Sequence, residues 1–132
     1  MTQIIIPANT NNSICKVADF EFGPYPSALY IGSLEAASDS FTLKQYKISS
    51  VLTVASEFTV KPGAGIAHKV IAVEDSPFED LYNYISEANE FIAKQLGRGN
   101  VLVHCRAGIS RSATLVLAFL MKSKRWKLKH AL

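Results

Sequence analysis

The chain has 132 residues, of which 48% are hydrophobic and 19% charged, and its formal net charge is +3 at pH 7. This length and composition fit one domain with a hydrophobic core and exclude an intrinsically disordered chain. Five basic residues between Lys122 and Lys129 have no acidic neighbour, so acidic residues outnumber basic ones in the rest of the chain. The positive charge is therefore local, and we expect no nucleic-acid partner.

The cysteine content and the N-terminal sequence indicate the cellular compartment of the protein. Cys15 and Cys105 are too far apart in sequence to suggest a disulfide framework or a paired metal-binding motif, which favours a reducing compartment. The first residues lack the basic and apolar segments of a signal peptide, and no apolar run is long enough to span a membrane. We expect a cytoplasmic protein, with the nucleus as an additional location.

The first half of the chain predicts two strands and a short helical region. Residues 28–32 form a short strand candidate that ends at a glycine. Ser33 is expected to cap a helical turn, and a helix is predicted from Ser40 to about Lys47. Residues 50–55 are largely β-branched and apolar, which predicts a buried strand.

The second half predicts an alternation of strands and helices. A strand is expected over 68–73, and apolar residues recur with the helical period from Leu81 to Leu96, before Gly97. Residues 101–103 have no polar face, which favours a central strand, and the helix expected from about Ser112 is apolar nearly all round and should be buried. Together these elements predict an α/β fold with a central mixed, mostly parallel sheet flanked by helices.

One loop carries both a nucleophile and a cation, between the predicted central strand and the buried helix. From His104 it reads His-Cys-Arg-Ala-Gly-Ile-Ser-Arg-Ser. The following helix N-terminus and the Arg111 guanidinium should stabilise the thiolate of Cys105. Gly108 permits backbone dihedrals that a Cβ would forbid, so the backbone N–H groups can turn inward around an anion.

The side chains of this loop suit a phosphate ester. Arg111 offers a planar fork that can bind two phosphate oxygens, and the Ser112 hydroxyl can donate to the cysteine sulfur as it leaves. An inert core thiol beside a surface arginine is the alternative, which the spacing and the flanking elements disfavour. The predicted phosphate-binding residues are Arg106, Ala107, Gly108, Ile109, Ser110 and Arg111.

The pattern His-Cys-x-x-Gly-x-Ser-Arg resembles the signature of the cysteine-dependent protein phosphatases, and its extension Ser-Ala-Thr is similar to the dual-specificity branch. Residues 29–33 and 48–55 also resemble strands of that family. The resemblance divides the chain into an N-terminal segment, 1–24, and a catalytic domain, 25–132, that lacks the family's C-terminal helix. It implies hydrolysis of phosphotyrosine and of phosphoserine or phosphothreonine in proteins through a cysteinyl-phosphate intermediate, without a metal or other cofactor.

The implied mechanism needs a general acid for the leaving oxygen. Glu74, Asp75, Glu79 and Asp80 are candidates, and Asp75 lies thirty residues before the cysteine, as the family's acid does. Asp80 suits a helix N-terminus instead, and Glu79 suits solvent.

The resemblance also implies a supporting role for a histidine. His104 would hold the loop and bias the ionisation of the cysteine, the alternative being a merely packed ring. His68 and His130 have no recognisable partner in the sequence and are interpreted as ordinary residues.

The uncharged loop residues Ala107, Ile109 and Ser110 favour a phosphorylated protein over a phosphoinositide, because the family's inositol-phosphate enzymes place basic residues there. Two alternatives stay open: a non-catalytic phosphate-binding (pseudophosphatase-like) module, and a phosphoinositide or RNA phosphatase. The basic stretch with Trp126 is expected to be an exposed helix end, with weak contact to an acidic lipid or acidic partner as its alternative.

Overall fold

The structure is a computed structural model that describes residues 13–55, 62–63, 65–72, 82–105 and 110–131, with the backbone alone at 110 and 124–131. Within these ranges the helices are α1 (Leu34–Ser38), α2 (Ser40–Gln45), α3 (Ile85–Leu96) and α4 (Ser110–Ala131). The strands are β1 (Ile14–Phe20), β2 (Ser27–Gly32), β3 (Ile48–Val54), β4 (Ala67–Ile71) and β5 (Asn100–Cys105).

The strands form one sheet in the order β1-β2-β5-β3-β4. The strand β5 pairs in parallel with β2 on one side and with β3 on the other, and β4 extends the parallel part of the sheet beyond β3. Among the described strands, β1 alone runs antiparallel, beside β2. The predicted mixed, mostly parallel sheet with a central 101–103 strand is therefore confirmed.

Alternate side chains of the central strands enter two separate hydrophobic clusters. Leu52 of β3 and Val103 of β5 pack in the cluster that α3 and α4 cover, whereas Val51 and Leu102 pack with residues of α1 and α2 on the opposite face. Both faces of β5 are thus buried, because helices cover the sheet on each side, which explains why its sequence shows no polar face.

Most of the predicted elements are present, with shifted ends. Ser33 is the N-cap of α1, and its Oγ accepts a hydrogen bond from the Ala36 N–H at 3.1 Å. The helix from Ser40 ends two residues before its predicted end, and Gly97 is the C-cap of α3. Residues 73–81, which include both predicted boundaries between β4 and α3, lie outside the described residues.

The strand β1 was not predicted. Its residues do not alternate cleanly between buried and exposed positions, because a register shift between Lys16 and Ala18 interrupts the pairing with β2. At a bulge of this kind the period of two is lost, and with it the signal that identifies a strand in a sequence. Its pairing with β2 and the burial of Phe20 fix this segment in the fold.

The helix α4 begins two residues earlier than predicted, and it is not buried all round. Leu115, Val116 and Phe119 face the core, but Leu117 and Met121 are each 57% exposed. The predicted burial of this helix therefore holds for one side of its described residues, because α4 lies in an outer layer with that side against the sheet. None of the helices in the described parts of the chain is long and apolar enough to cross a membrane.

Candidate active site

Cys105 is the last residue of the central strand β5, at the carboxyl end of the parallel strands, and α4 begins five residues later at Ser110. The thiol is only 2% exposed, and its Sγ lies 3.2 Å from the Oγ of Ser112, which is fully buried in the first turn of α4. Arg111, half-buried, precedes Ser112 in the same turn. The fold thus brings the predicted nucleophile, cation and hydroxyl donor to the N-terminal end of one helix.

Several predicted site residues lie outside the described residues. They are Arg106, Ala107, Gly108 and Ile109 of the loop, and Asp75 with its rivals Glu74, Glu79 and Asp80. For Ser110, Trp126 and His130 only the backbone is described. The alternative that the basic stretch contacts an acidic lipid or acidic partner therefore concerns side chains outside the described ones.

His104 immediately precedes the nucleophile and is fully buried. Its Nε2 lies 2.7 Å from the Thr53 hydroxyl of the neighbouring strand β3. Burial lowers the pKa of His104 to about 4, against a smaller rise from a hydrogen bond with the Cys105 backbone, and the nearby His68 lowers it further. His104 is therefore neutral at pH 7, which is unsuited to an ion pair with a thiolate but suited to a structural hydrogen bond.

A second histidine reaches the same hydroxyl. The Nε2 of His68, on β4, also lies 2.7 Å from the Thr53 Oγ1. His68 is half-buried, and burial lowers its pKa. Sequence reasoning missed this contact because only the parallel pairing of β3 with β4 brings residues fifteen positions apart together.

The pKa of His104 predicts how stability depends on pH. The unfolded chain takes up a proton near pH 6.5 and the folded chain only near pH 4, so the free energy of unfolding should decrease as the pH falls through this window. The loss is on the order of 3 kcal/mol, since each pKa unit corresponds to about 1.4 kcal/mol. Urea denaturation at pH 7.5 and pH 4 measures it.

The matched control is His104→Gln, which keeps an acceptor for the Thr53 hydroxyl but cannot titrate. Other groups should respond to pH alike in both proteins. The difference between the two proteins in the free energy of unfolding lost between pH 7.5 and pH 4 therefore isolates the contribution of His104. The assignment would be wrong if both proteins lost the same stability between the two pH values.

The comparisons with known proteins identify the family. A family model described as the dual specificity phosphatase catalytic domain matches residues 29–132. The fold and the arrangement of Cys105 and Ser112 thus occur in a chain that belongs to the family of dual specificity phosphatase catalytic domains. The resemblance noted from the loop sequence is confirmed.

Matches to individual proteins support the same family assignment. The chain is 43% identical over 106 residues to dual specificity protein phosphatase 1 of Arabidopsis thaliana, which covers 79% of this chain and 53% of that protein. It is 41% identical over 105 residues to dual specificity protein phosphatase 5 of Homo sapiens, with 78% of this chain and 27% of that protein covered. Among solved structures, that of DUSP15 matches with a TM-score of 0.65 and 32% identity, covering 78% of this chain and 64% of that one. The chain thus spans about half or less of the length of these two curated relatives.

Proposed function

We propose that this protein hydrolyses phosphate monoesters on proteins, both phosphotyrosine and phosphoserine or phosphothreonine, through a cysteinyl-phosphate intermediate. The observation that carries the proposal is the position of Cys105, at the end of the central strand with the Ser112 hydroxyl 3.2 Å from its sulfur. Membership of the dual specificity phosphatase family and the names of the relatives support the same activity.

In the first step, the Cys105 thiolate attacks the phosphorus atom of the substrate. A sulfur–phosphorus bond forms and the bond from phosphorus to the substrate oxygen breaks. Asp75, as general acid, gives its proton to that oxygen, so that an alcohol or phenol leaves rather than its anion. Arg111, from the first turn of α4, binds two of the phosphoryl oxygens and offsets their charge.

In the second step, a water molecule attacks the phosphorus atom and Asp75 takes up the proton that the water loses. The sulfur–phosphorus bond breaks, inorganic phosphate forms and the electron pair returns to sulfur. Ser112 donates its hydroxyl hydrogen to the returning thiolate, and the 3.2 Å separation of the two atoms is within range for a hydrogen bond to sulfur. The enzyme is then restored.

His104 takes no part as an acid or base in this scheme. It is fully buried and its Nε2 contacts Thr53, so it does not reach the leaving group. Burial holds its pKa near 4, so the ring is neutral at pH 7 and does not act as an acid. Its contribution is to hold the backbone at the entry to the loop.

The proposed substrate class can be tested with matched phosphate esters. The kcat/KM of the protein should be higher on phosphotyrosine and phosphothreonine peptides than on phosphoinositide or RNA phosphates, because Ala107, Ile109 and Ser110 add no positive charge for extra phosphates. A higher kcat/KM on the lipid or the RNA would overturn the protein-substrate assignment. Tight binding of phosphopeptides without release of inorganic phosphate would instead identify a non-catalytic module.

A further inference from the structure

We propose that the outward side of α4, defined by Leu117 and Met121, binds the surface of a membrane that contains anionic lipid. The helix lies in the plane of that surface, with its apolar pair among the headgroups and its basic residues beside their negative charges. This proposal does not rest on the proposed function, since neither residue takes part in the chemistry at Cys105.

Two large apolar side chains lie together on the side of α4 that faces away from the sheet. Leu117 and Met121 are each 57% exposed, and residues four positions apart are neighbours on one side of a helix. By contrast, the exposed Phe41 on α2 and the exposed Val70 on β4 come from separate elements. Single exposed apolar residues are normal on a protein surface, whereas the adjacent pair on α4 forms a contiguous apolar patch.

The same helix carries the positive charge of the protein. Lys122 is exposed and follows Met121 directly, and the sequence contains no acidic residue from Ser110 to its last residue. The other basic residues of this stretch are Lys124, Arg125, Lys127 and Lys129. Their backbone continues α4, and in the part of the chain before α4 acidic residues outnumber basic ones. An anionic surface therefore attracts the helix that bears the apolar pair, which orients the protein.

A lipid surface fits both features at once. At a membrane surface, apolar side chains insert between the headgroups while lysine and arginine lie beside the anionic lipids. A peptide partner needs a groove, and the two cavities that the described residues form beside α3 are lined by neither Leu117 nor Met121. The exposed side of one helix in an outer layer suits a flat partner.

Vesicle sedimentation tests the proposal with the full chain. At low ionic strength the protein should bind vesicles of phosphatidylcholine mixed with phosphatidylserine. It should bind vesicles of phosphatidylcholine alone about tenfold more weakly, or weaker still, because each lysine or arginine near an anionic surface contributes about 1 kcal/mol. Added salt should weaken binding to the mixed vesicles, since it screens exposed charges.

Two variants separate the apolar contribution from the charged one. Leu117→Gln combined with Met121→Gln removes the apolar pair and keeps residues that favour a helix, and it should weaken binding to the mixed vesicles roughly tenfold. Lys122→Glu reverses the charge beside the pair and should weaken the same binding by about tenfold.

The helix α2 provides the matched controls, because it packs on the opposite face of the sheet. Phe41 is 71% exposed there, and Lys44 is exposed as well. Phe41→Gln and Lys44→Glu make the same chemical changes away from α4 and should bind like the wild type. Circular dichroism checks that each variant is folded, and Met121→Gln alone replaces the double variant if that one unfolds.

The proposal is overturned if the protein binds both kinds of vesicle equally or binds neither. It is also wrong if the variant without the apolar pair binds like the wild type, since the contact would then be with charge alone. Sedimentation equilibrium without lipid tests a rival occupant: a wild-type dimer that the same variant abolishes would show that a second copy covers this surface. These measurements do not involve turnover, so they stand whether or not the protein hydrolyses phosphate esters.

Discussion

Replacing Cys105 with serine is expected to reduce hydrolysis of an aryl phosphate by a factor on the order of 10⁴ to 10⁶, the loss seen when an enzyme loses its nucleophile. A serine hydroxyl is not ionised at neutral pH, and the neighbouring His104 cannot serve as its base, since its Nε2 is held by Thr53. The fold should be retained, because serine is smaller than cysteine and can still hydrogen-bond to Ser112. Release of inorganic phosphate at pH 7 measures the loss.

The other cysteine provides the matched control. Cys15 lies half-buried on the edge strand β1, and Cys15→Ser should keep wild-type activity. Calorimetry should show that Cys105→Ser still binds a phosphopeptide, since the phosphate ligands are unchanged. Equal rates for the wild type and Cys105→Ser would contradict the cysteinyl-phosphate mechanism. If both rates were at background, the chain would be a binding module.

Asp75→Asn should slow hydrolysis of a phosphoserine peptide by a factor of about 10² to 10⁴, the usual contribution of a general acid. The leaving serine oxygen is strongly basic and needs the proton. The phenolate of an aryl phosphate with an acidic phenol can leave without being protonated. Transfer of the phosphoryl group from that substrate to Cys105 should therefore slow much less. Because the first step needs Asp75 protonated, wild-type kcat/KM should fall on the alkaline side of its pH profile, and Asp75→Asn should remove that fall.

The neighbouring carboxylate tests the assignment directly. Asp80→Asn removes an equal charge from the same segment, and it should keep both the peptide activity and the alkaline fall in kcat/KM. If Asp80→Asn loses them and Asp75→Asn keeps them, Asp80 is the general acid. A uniform loss on aryl phosphate and peptide alike in Asp75→Asn would point to a role in binding rather than in proton transfer.

The central part of the fold could be predicted because its signals are local. Residues 101–103 are buried on both faces and therefore apolar throughout, and Gly97 ends the preceding helix. The edge strand β1 could not be predicted, since a bulge at Lys16 and Ala18 interrupts its alternation. The exposure of Leu117 and Met121 was missed for a different reason, because an apolar sequence does not show which side of a helix contacts the sheet.

The same distinction between local signals and tertiary packing applies to the candidate site. The sequence by itself predicted the proposed nucleophile, arginine and hydroxyl, because all three lie within the eight residues that join the end of β5 to the first turn of α4, where Cys105 and Ser112 are in contact. Only the tertiary structure decided the setting of His104. Its partner Thr53 lies 51 residues away on β3, and His68 joins them from β4. Parallel pairing joins strands that are distant in the chain, so no spacing within the sequence records which side chains it brings into contact.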